Sequence, residues 1–356
     1  MKMKLSTVLG GSIMMAGLVA FSPVSADELD KVVFGTNWYA QAEHGGFYQA
    51  LATGLYKEHG LDVEIRMGGP QVNGTQLLVT GRYDLLMGYP IGNINAVEKG
   101  LPVMTVAASM QGDPQSLVAH PHVESIEQIK EEGLPVYLAT HAHSTFWPWL
   151  KAEYGFEDDV VHAYTFSVAP FLTDENIVQQ GYLSSEPFAI QKGGIEPNVF
   201  LLSDYGYPPY ATTIETTTDM IEERPDVVKR FVQASMEGWQ SYLENPEPGN
   251  KLIMQENPEM TPEQIAYGIE KMKEYELVTG GDAGSLGIGV MTEERWMKIK
   301  DFMVSAGLAS ADLDLSKVYT LEFLPEEPVL PEASNPILMQ VGHSLDRPWR
   351  YPYDSK

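Results

Sequence analysis

Aromatic side chains that follow predicted strand ends are the residues in this sequence best suited to hold a ligand. Three residues separate Trp38 and Tyr39 from residues 32–34, a β-branched and aromatic run that predicts a buried strand. Side chains at the carboxyl ends of strands line the ligand clefts of open α/β sheets. Because flat rings bind well against aromatic faces, these positions predict a cleft for a planar ligand. The aromatic candidates are Trp38, Tyr39, Tyr89, Trp147, Tyr205 and Tyr210.

Each of these aromatic residues, taken singly, suits a hydrophobic core as well as a ligand cleft. Adjacent side chains on an extended segment point in opposite directions. We therefore expect one of Trp38 and Tyr39 to pack against the protein and the other to face the cleft.

Polar side chains complete the predicted ligand-binding set. Asn37 and His44 lie in the same loop as the aromatic pair, and Ser116 begins a predicted strand. Glu186 follows residues 182–185, where a strand of a second lobe is predicted to end facing the first. We expect the Glu186 carboxylate to accept a hydrogen bond from a ring nitrogen or an amino group of the ligand. The alternative is that Glu186 is an ordinary surface carboxylate.

Other combinations of residues do not predict chemistry. His141 and His143 have a spacing that a metal could use, with Glu186 as a third ligand, but nothing in the sequence fixes that third ligand nearby. The glycine-rich residues 280–289 follow no predicted strand, which favours a loop over a phosphate-binding turn. The sequence contains no cysteine and shows no Ser/His/Asp order. We therefore predict no catalytic residue, no metal and no cofactor.

The elements that would position the candidates alternate between strand and helix, which is typical of an α/β fold. Two breaks in the alternation, at about 108–116 and 202–212, predict crossover segments between two lobes. The first lobe would comprise residues 27–110 and 212–325, and the second residues 111–211. Within the second lobe we predict a helix over 173–180 and a strand over 181–184, and the segments after 212 are predicted to be helical. Residues 326–356 form a tail without periodicity.

The amino terminus has the pattern of an export signal. Lys2 and Lys4 precede the apolar residues 8–21, and small residues lie just before Asp27, so residues 1–26 are predicted to be a cleaved signal peptide. No cysteine is available for a lipid anchor. We expect a periplasmic protein without a membrane anchor, present as a monomer.

The charge limits the partners of the protein. The chain has 23 basic and 49 acidic residues, for a net charge of −26, and removal of the signal peptide with Lys2 and Lys4 makes it −28. Phosphate binding needs the opposite field, so nucleic acid is excluded as an expected partner. The same field opposes a small anionic ligand and tolerates a neutral or cationic heterocycle.

Four segments carry a resemblance to a known family: residues 37–50, 54–63, 78–84 and 100–103. They resemble the periplasmic solute-binding proteins of ABC importers, in the branch that includes nitrate, sulfonate and taurine binders and binders of thiamine pyrimidine precursors. The resemblance implies a type II periplasmic binding fold, with two α/β lobes, two crossover segments and a ligand cleft between the lobes. It also implies a small-molecule ligand and an ABC permease as partners. The aromatic pair and His44 favour a pyrimidine-precursor-like ligand, and a sulfonate, taurine, nitrate or aromatic organic anion is the alternative.

The sequence also resembles thiamine-pyrimidine synthases, which are enzymes of the same fold. Those enzymes use a histidine, a lysine that holds pyridoxal phosphate and a cysteine-rich metal motif. This chain has no cysteine, and it has no lysine between Lys31 and Lys57 beside the aromatic loop. We therefore predict a receptor rather than an enzyme.

Overall fold

A computed structural model describes residues 29–69 and 72–331 of the chain. The predicted signal peptide and residues 332–356 of the predicted tail lie outside this part. The described residues contain two five-stranded β-sheets. Their strands are β1 (Asp30–Gly35), β2 (Leu61–Arg66), β3 (Leu85–Gly88), β4 (Val103–Met110), β5 (Gln115–Ala119), β6 (Val136–Leu138), β7 (Val161–Ala163), β8 (Val178–Tyr182), β9 (Asn198–Leu201) and β10 (Ala211–Thr217).

The first sheet has the strand order β2-β1-β3-β10-β4. Strand β1 pairs in parallel with β2 and β3, whereas β10 runs antiparallel between β3 and β4. Because β1 and β3 are parallel neighbours, Gly35 and Gly88 end them at the same edge of the sheet. The loop that carries Trp38 and the residue Tyr89 therefore leave the sheet side by side.

The second sheet repeats this plan with the order β7-β6-β8-β5-β9. Strand β6 pairs in parallel with β7 and β8, and β5 runs antiparallel between β8 and β9. In each sheet, one strand runs antiparallel to both of its neighbours: β10 in the first sheet and β5 in the second. The chain enters each of these strands directly after it crosses from the other sheet. The parallel strands β7 and β8 bring Tyr164 and residues 183–186 to one edge.

Helices flank the strands of both sheets, as the alternating pattern predicts. Within the described residues, no helix is long and apolar enough to span a membrane. The helices are α1 (Gly45–Thr53), α2 (Leu55–Glu58), α3 (Gly74–Val79), α4 (Pro90–Glu98), α5 (Ile126–Glu131), α6 (Phe146–Tyr154), α7 (Ala169–Thr173), α8 (Glu186–Lys192), α9 (Thr218–Glu223), α10 (Pro225–Glu244), α11 (Glu247–Glu256), α12 (Pro262–Glu274), α13 (Ala283–Leu286) and α14 (Glu293–Ser305). Short 3-10 helices span Ala42–His44, Thr140–Ser144, Asp158–Val160, Leu202–Tyr205 and Leu315–Lys317.

A close contact between α1 and α10 anchors the loop that holds the predicted site. Phe34 of β1 packs 4.7 Å from the ring of Phe47 in α1 and 5.1 Å from that of Phe231 in α10. A Cβ atom on Gly238 would lie 2.3 Å from the carbonyl oxygen of Gly46, so the two helices can approach only because this position lacks a side chain. The start of α1 directly after the aromatic loop is thus fixed by packing.

The chain crosses between the sheets twice, once between β4 and β5 and once between β9 and β10. This confirms the expected fold of two α/β lobes joined by two crossover segments, both of which lie where the sequence predicts them. The lobe limits of 27–110 with 212–325, and 111–211, stay a prediction.

A buried arginine on α14 ties the two crossover segments together. The Arg295 guanidinium donates hydrogen bonds to the backbone carbonyls of Gln111 in the first segment and of Pro208 and Pro209 in the second. Its Cζ also lies 4.2 Å from the centre of the Tyr210 ring. Hydrogen bonds from a charged donor are stronger than neutral ones, so this contact holds the two crossover segments firmly together.

The helix predicted over residues 173–180 is wrong. Helix α7 ends at Thr173, and β8 begins at Val178 in the middle of the second sheet. Residues 174–176 instead form a turn, in which Asp174 accepts hydrogen bonds from the backbone and side chain of Asn176. Asp and Asn are typical turn residues, and the burial of Val178 favours the strand.

Candidate ligand-binding site between the lobes

Two aromatic rings from opposite lobes meet where the carboxyl edges of the sheets face each other. Trp38, in the loop after β1, has its ring centre 4.7 Å from that of Phe166, which follows β7. Phe166 in turn lies 5.2 Å from Tyr164. Phe166 has a φ of +60°, an unusual backbone conformation for a bulky residue, and its side chain is 44% exposed. Strained residues of this kind concentrate at functional sites.

The two members of the predicted aromatic pair have different environments. Trp38 is half-buried and contacts the second lobe through Phe166. Tyr39 is 42% exposed, with its ring centre 5.5 Å from that of Trp38. The structure therefore places Trp38 between the lobes and Tyr39 at the rim.

Glu186 lies at the start of α8, on the second-lobe side of the same region. Its Oε1 accepts a hydrogen bond of 3.2 Å from the Tyr164 hydroxyl, and its Oε2 accepts one of 2.8 Å from the backbone N–H of Tyr182. Burial raises the pKa of Glu186 to about 7, against the lowering effect of hydrogen bonds from its own backbone and from the Tyr164 hydroxyl. At neutral pH this carboxyl can therefore present either an acceptor or a donor to a ligand.

A second buried carboxyl, Glu43, faces Glu186 from the first lobe. Glu43 lies in the 3-10 helix Ala42–His44, is 2% exposed and accepts a hydrogen bond from the Ser184 hydroxyl. Burial raises the pKa of Glu43 to about 7, and the charge of Glu186 adds to the increase. The contact between Glu43 and Ser184 joins the two lobes directly.

His44, Asn37 and Tyr89 form a hydrogen-bonded chain on the first-lobe side. His44 Nδ1 accepts from the backbone N–H of Gln41 at 3.3 Å, so the ring proton lies on Nε2, which donates to Asn37 Oδ1 at 3.1 Å. Asn37 Nδ2 then donates to the Tyr89 hydroxyl at 2.9 Å. Burial lowers the pKa of His44 to about 4, so the imidazole is neutral at physiological pH. The chain leaves the Tyr89 proton free to be donated.

Two of the aromatic candidates lie elsewhere in the second lobe. Trp147 is 1% exposed within the core of that lobe, and its Nε1 donates to Asp158 at 2.8 Å. Tyr205 is 39% exposed, with its ring edge toward Phe200. The structure does not bring either residue into contact with Trp38, because α6 turns the first into the core and the crossover carries the second to the surface.

Ser116 and Tyr210 are buried near the crossovers and have partners of their own. The Ser116 hydroxyl donates to the backbone carbonyl of Gly181 at 2.8 Å. The Tyr210 hydroxyl accepts from the backbone N–H of Thr292 at 3.0 Å, and its ring lies under Arg295. Both residues hold the lobe connections in this structure.

Sequence reasoning missed three side chains of this region. Phe166 satisfies the criterion that selects Trp38, since it follows residues 161–165, which the sequence predicts to be a strand. Tyr164 lies within that predicted strand, whereas the observed β7 ends at Ala163 and leaves Tyr164 at its carboxyl end. Glu43 carries no signal in the sequence, because its burial depends on Ser184 from a distant segment.

The histidines with metal-capable spacing lie on the 3-10 helix Thr140–Ser144. Among the described residues, no three or more His, Asp or Glu side chains are grouped closely enough to hold a metal ion.

Two proteins of known role are similar to this chain over most of its length. The riboflavin-binding protein RibY of Chloroflexus aurantiacus is 26% identical over 326 residues, which cover 87% of this chain and 90% of that protein. The formylaminopyrimidine-binding protein of Halalkalibacterium halodurans is 22% identical over 284 residues, covering 76% of this chain and 86% of that protein.

Solved structures support the fold. The periplasmic aliphatic sulphonate binding protein SsuA from Escherichia coli superposes with a TM-score of 0.60 at 14% identity, over 86% of this chain and 95% of that one. This likeness shows a periplasmic binding protein fold. The sequence pattern of the family described as NMT1/THI5 like matches residues 41–248, more than half of the chain. The chain therefore belongs to the NMT1/THI5 like family.

Proposed function

We propose that this protein is the extracytoplasmic receptor of an ABC importer and that it captures a small planar heterocycle between its lobes. The observation that carries the proposal is the meeting of Trp38 and Phe166 across the cleft at 4.7 Å, with Glu186 and Tyr164 beside them. Because Phe166 is 44% exposed, a ligand ring can displace it and stack on Trp38 in its place. The cleft then contributes an aromatic face and a polar edge.

The polar edge matches the edge of a heterocycle. Glu186 can accept from a ring N–H or amino group, or donate from its protonated form to a ring nitrogen, since burial holds its pKa at about 7. Tyr89 can donate its free proton to a carbonyl or ring nitrogen from the other lobe. Ligand sites of this kind combine apolar walls with a few fixed polar groups.

The similar proteins support a receptor and suggest two candidate ligands. One is named for riboflavin and the other for a formylaminopyrimidine, and both ligands contain a flat nitrogen heterocycle. Neither name describes an enzyme, in agreement with the departures of this sequence from the pyrimidine synthases. A sulfonate or nitrate is disfavoured because Glu43 and Glu186 meet at the cleft, and each carboxyl repels an anion when it is ionised.

The partners and location follow from the receptor role. The proposed partner is an ABC permease, the proposed location is the periplasm, and the signal-like residues 1–26 support both. We propose that the protein acts as a monomer, because one chain supplies both lobes of the cleft.

Calorimetric titration of one preparation with heterocycles and anions tests the proposal. We expect riboflavin or a formylaminopyrimidine to bind at least tenfold more tightly than taurine, an alkanesulfonate or nitrate. Micromolar binding of a sulfonate without a response to any heterocycle would overturn the ligand class. An absorbance spectrum of the purified protein with bands from bound pyridoxal phosphate or iron would overturn the receptor role.

A further inference from the structure

A buried glutamine of the second sheet lies beside the polar groups of the candidate site. Gln179 belongs to β8, is 1% exposed and pairs in register with Val118 of β5. In the part of the chain that the structure describes, the Nε2 atom of Gln179 has no hydrogen-bond partner. A buried N–H donor without a partner costs free energy, so the groups around this amide must explain it.

The alternation of side chains along β8 brings Gln179 to the face that carries Glu186. Residues two apart on a strand point to the same face, so Gln179 shares the face of Gly181. A Cβ atom at Gly181 would lie 3.0 Å from the Cβ of Glu186 and 3.4 Å from its Oε2. The Glu186 carboxyl therefore rests over this face. Gln180 points the other way, and its Oε1 accepts from the backbone N–H of Ala139 at 2.6 Å.

The hydroxyl of Tyr164 connects Gln179 with Glu186. It donates its proton to Glu186 Oε1 at 3.2 Å. Burial and the charge of Glu186 raise the pKa of Tyr164 well above its usual value, and Gln179 is close enough to act in the opposite direction. A phenol oxygen accepts as well as donates. A small shift of the Tyr164 ring therefore lets it accept from Gln179 Nε2 while its own proton stays on Glu186.

The remaining contact of the Glu186 carboxyl has the same polarity. Oε2 accepts from the backbone N–H of Tyr182 at 2.8 Å, so both carboxyl oxygens receive a proton donor from the protein. Hydrogen bonds to the charged form of a carboxyl favour that form, and hydrogen bonds in a chain strengthen one another. The chain from Gln179 through Tyr164 thus favours an acceptor at Glu186.

We propose that Gln179 is a positioning residue that holds the Tyr164 proton on Glu186, so that the site selects heterocycles presenting an N–H or amino group to this carboxylate. The inference rests on the proposed function and deepens it, since it names the hydrogen-bonding edge of the ligand. A ring with a methyl group at that edge leaves the carboxylate unpaired. Without Gln179, the Tyr164 hydroxyl is free to turn away, and the preference for a donor falls.

Two pairs of compounds that differ in one donor test the proposal. 2,4-Dimethylpyrimidine has a methyl group where 4-amino-2-methylpyrimidine has an amino group, and 3-methylriboflavin lacks the ring N–H of riboflavin. Calorimetry uses the pair that binds the wild-type protein. We expect the donor-bearing compound to bind at least tenfold more tightly than its methyl counterpart. In Gln179→Met, which has a side chain of similar length without an N–H, we expect this ratio to fall below threefold.

A neighbouring glutamine supplies the matched control. Gln180→Met removes a buried amide of the same strand that faces away from Glu186, and it should keep the tenfold ratio even where thermal unfolding shows a loss of stability. Tyr164→Phe should lower the ratio as Gln179→Met does. Because Gln179 acts through the Tyr164 hydroxyl, the variant with both substitutions should bind like Tyr164→Phe alone.

The pH profile of binding gives a second measurement of the same role. The donor-bearing compound needs the Glu186 carboxylate, so its affinity falls as the pH drops and Glu186 is protonated. Loss of the Gln179 donor disfavours the carboxylate, and the midpoint of this fall should move up by at least about 0.5 pH units in Gln179→Met. Glu43 and Tyr164 also face Glu186, and both are unchanged in this variant.

The outcomes separate this proposal from the receptor role. Equal affinity for the two members of a pair in the wild-type protein would overturn the role of Gln179 and leave the proposed function standing. An unchanged ratio in Gln179→Met would do the same. If Gln179→Met does not fold, an unchanged ratio in Tyr164→Phe has that meaning. If no heterocycle binds the wild-type protein, both proposals fail.

Discussion

Glu43 of the first lobe accepts a hydrogen bond from the hydroxyl of Ser184 in the second lobe, and both side chains are at least 97% buried. The contact forms with the two lobes together. The Glu43 carboxyl lies close enough to Glu186 for the charge of Glu186 to raise its pKa. Glu43 is thus removed from water where the lobes meet, and Glu186 is half-buried beside it. The stability of the closed arrangement consequently depends on whether the Glu43 and Glu186 carboxyls are protonated.

The stability of the folded protein should depend on Glu43 in a defined pH window. Because burial raises the pKa of Glu43 from its usual 4.5 to about 7, the folded state binds its proton more tightly than the unfolded chain does. The stabilisation is fully present below pH 4.5 and is lost as the pH rises through 7. Between pH 5 and pH 8, the free energy of unfolding of the wild type should therefore fall by about 1–3 kcal/mol more than that of Glu43→Gln. Chemical denaturation at each pH measures both.

An exposed carboxylate provides the control for this experiment. Glu270→Gln on α12 removes a charge of the same type at the surface and should leave the wild-type slope unchanged. Identical slopes in the wild type and in Glu43→Gln would show that Glu43 keeps an ordinary pKa and is not buried between closed lobes.

Ligand affinity should depend on Trp38 and Glu186 together. Trp38→Ala removes the aromatic face, and the loss of such a contact costs ~1 kcal/mol, which corresponds to about fivefold in affinity. Glu186→Gln removes the ionisable acceptor and should weaken binding about tenfold, in the range for hydrogen bonds to charged groups. Calorimetry with the heterocycle that binds wild-type protein best measures both, and Glu270→Gln again serves as the control. If both variants bind within twofold of the wild type, the site lies elsewhere.

A heterocycle that contacts both lobes should shift the protein toward its closed form. We expect the crossover segments held by Arg295 to act as the hinge, and a ligand that bridges Trp38 and Glu186 adds contacts only when the lobes meet. Small-angle X-ray scattering should therefore show a smaller radius of gyration on saturation. An unchanged radius in the saturated protein would contradict hinge closure.

The sequence allows much of this architecture to be predicted, and the failures have a common cause. Trp38 and Glu186 could be proposed because each follows a strand end, and strand ends are visible in local patterns. Strand β10 was missed because residues 211–217 are rich in threonine and lack an apolar run, so the strand depends on its neighbours β3 and β4. Gln179 and Glu43 were missed because tertiary packing alone buries them.

His44 should support the ligand site through its neutral imidazole rather than through a charge. Its Nδ1 accepts from Gln41 and its Nε2 donates to Asn37, so His44→Ala releases Asn37 and with it the hydroxyl of Tyr89. A glutamine amide has one acceptor and one donor group. We expect His44→Ala to weaken heterocycle binding about tenfold, because one or two buried hydrogen bonds are lost. We expect His44→Gln to recover part of that affinity.

The pH dependence separates this role of His44 from simple packing. Burial lowers its pKa from 6.5 to about 4, so the folded state resists a proton that the unfolded chain accepts. The stability that His44 contributes is present above pH 6.5 and is lost as the pH falls toward 4, which is opposite in sign to the effect of Glu43. In His44→Gln, chemical denaturation should no longer show this fall in the free energy of unfolding between pH 6.5 and 4. An NMR titration that finds the folded imidazole half-protonated near pH 6.5 would contradict the neutral hydrogen-bonded chain, because a protonated Nδ1 cannot accept from Gln41.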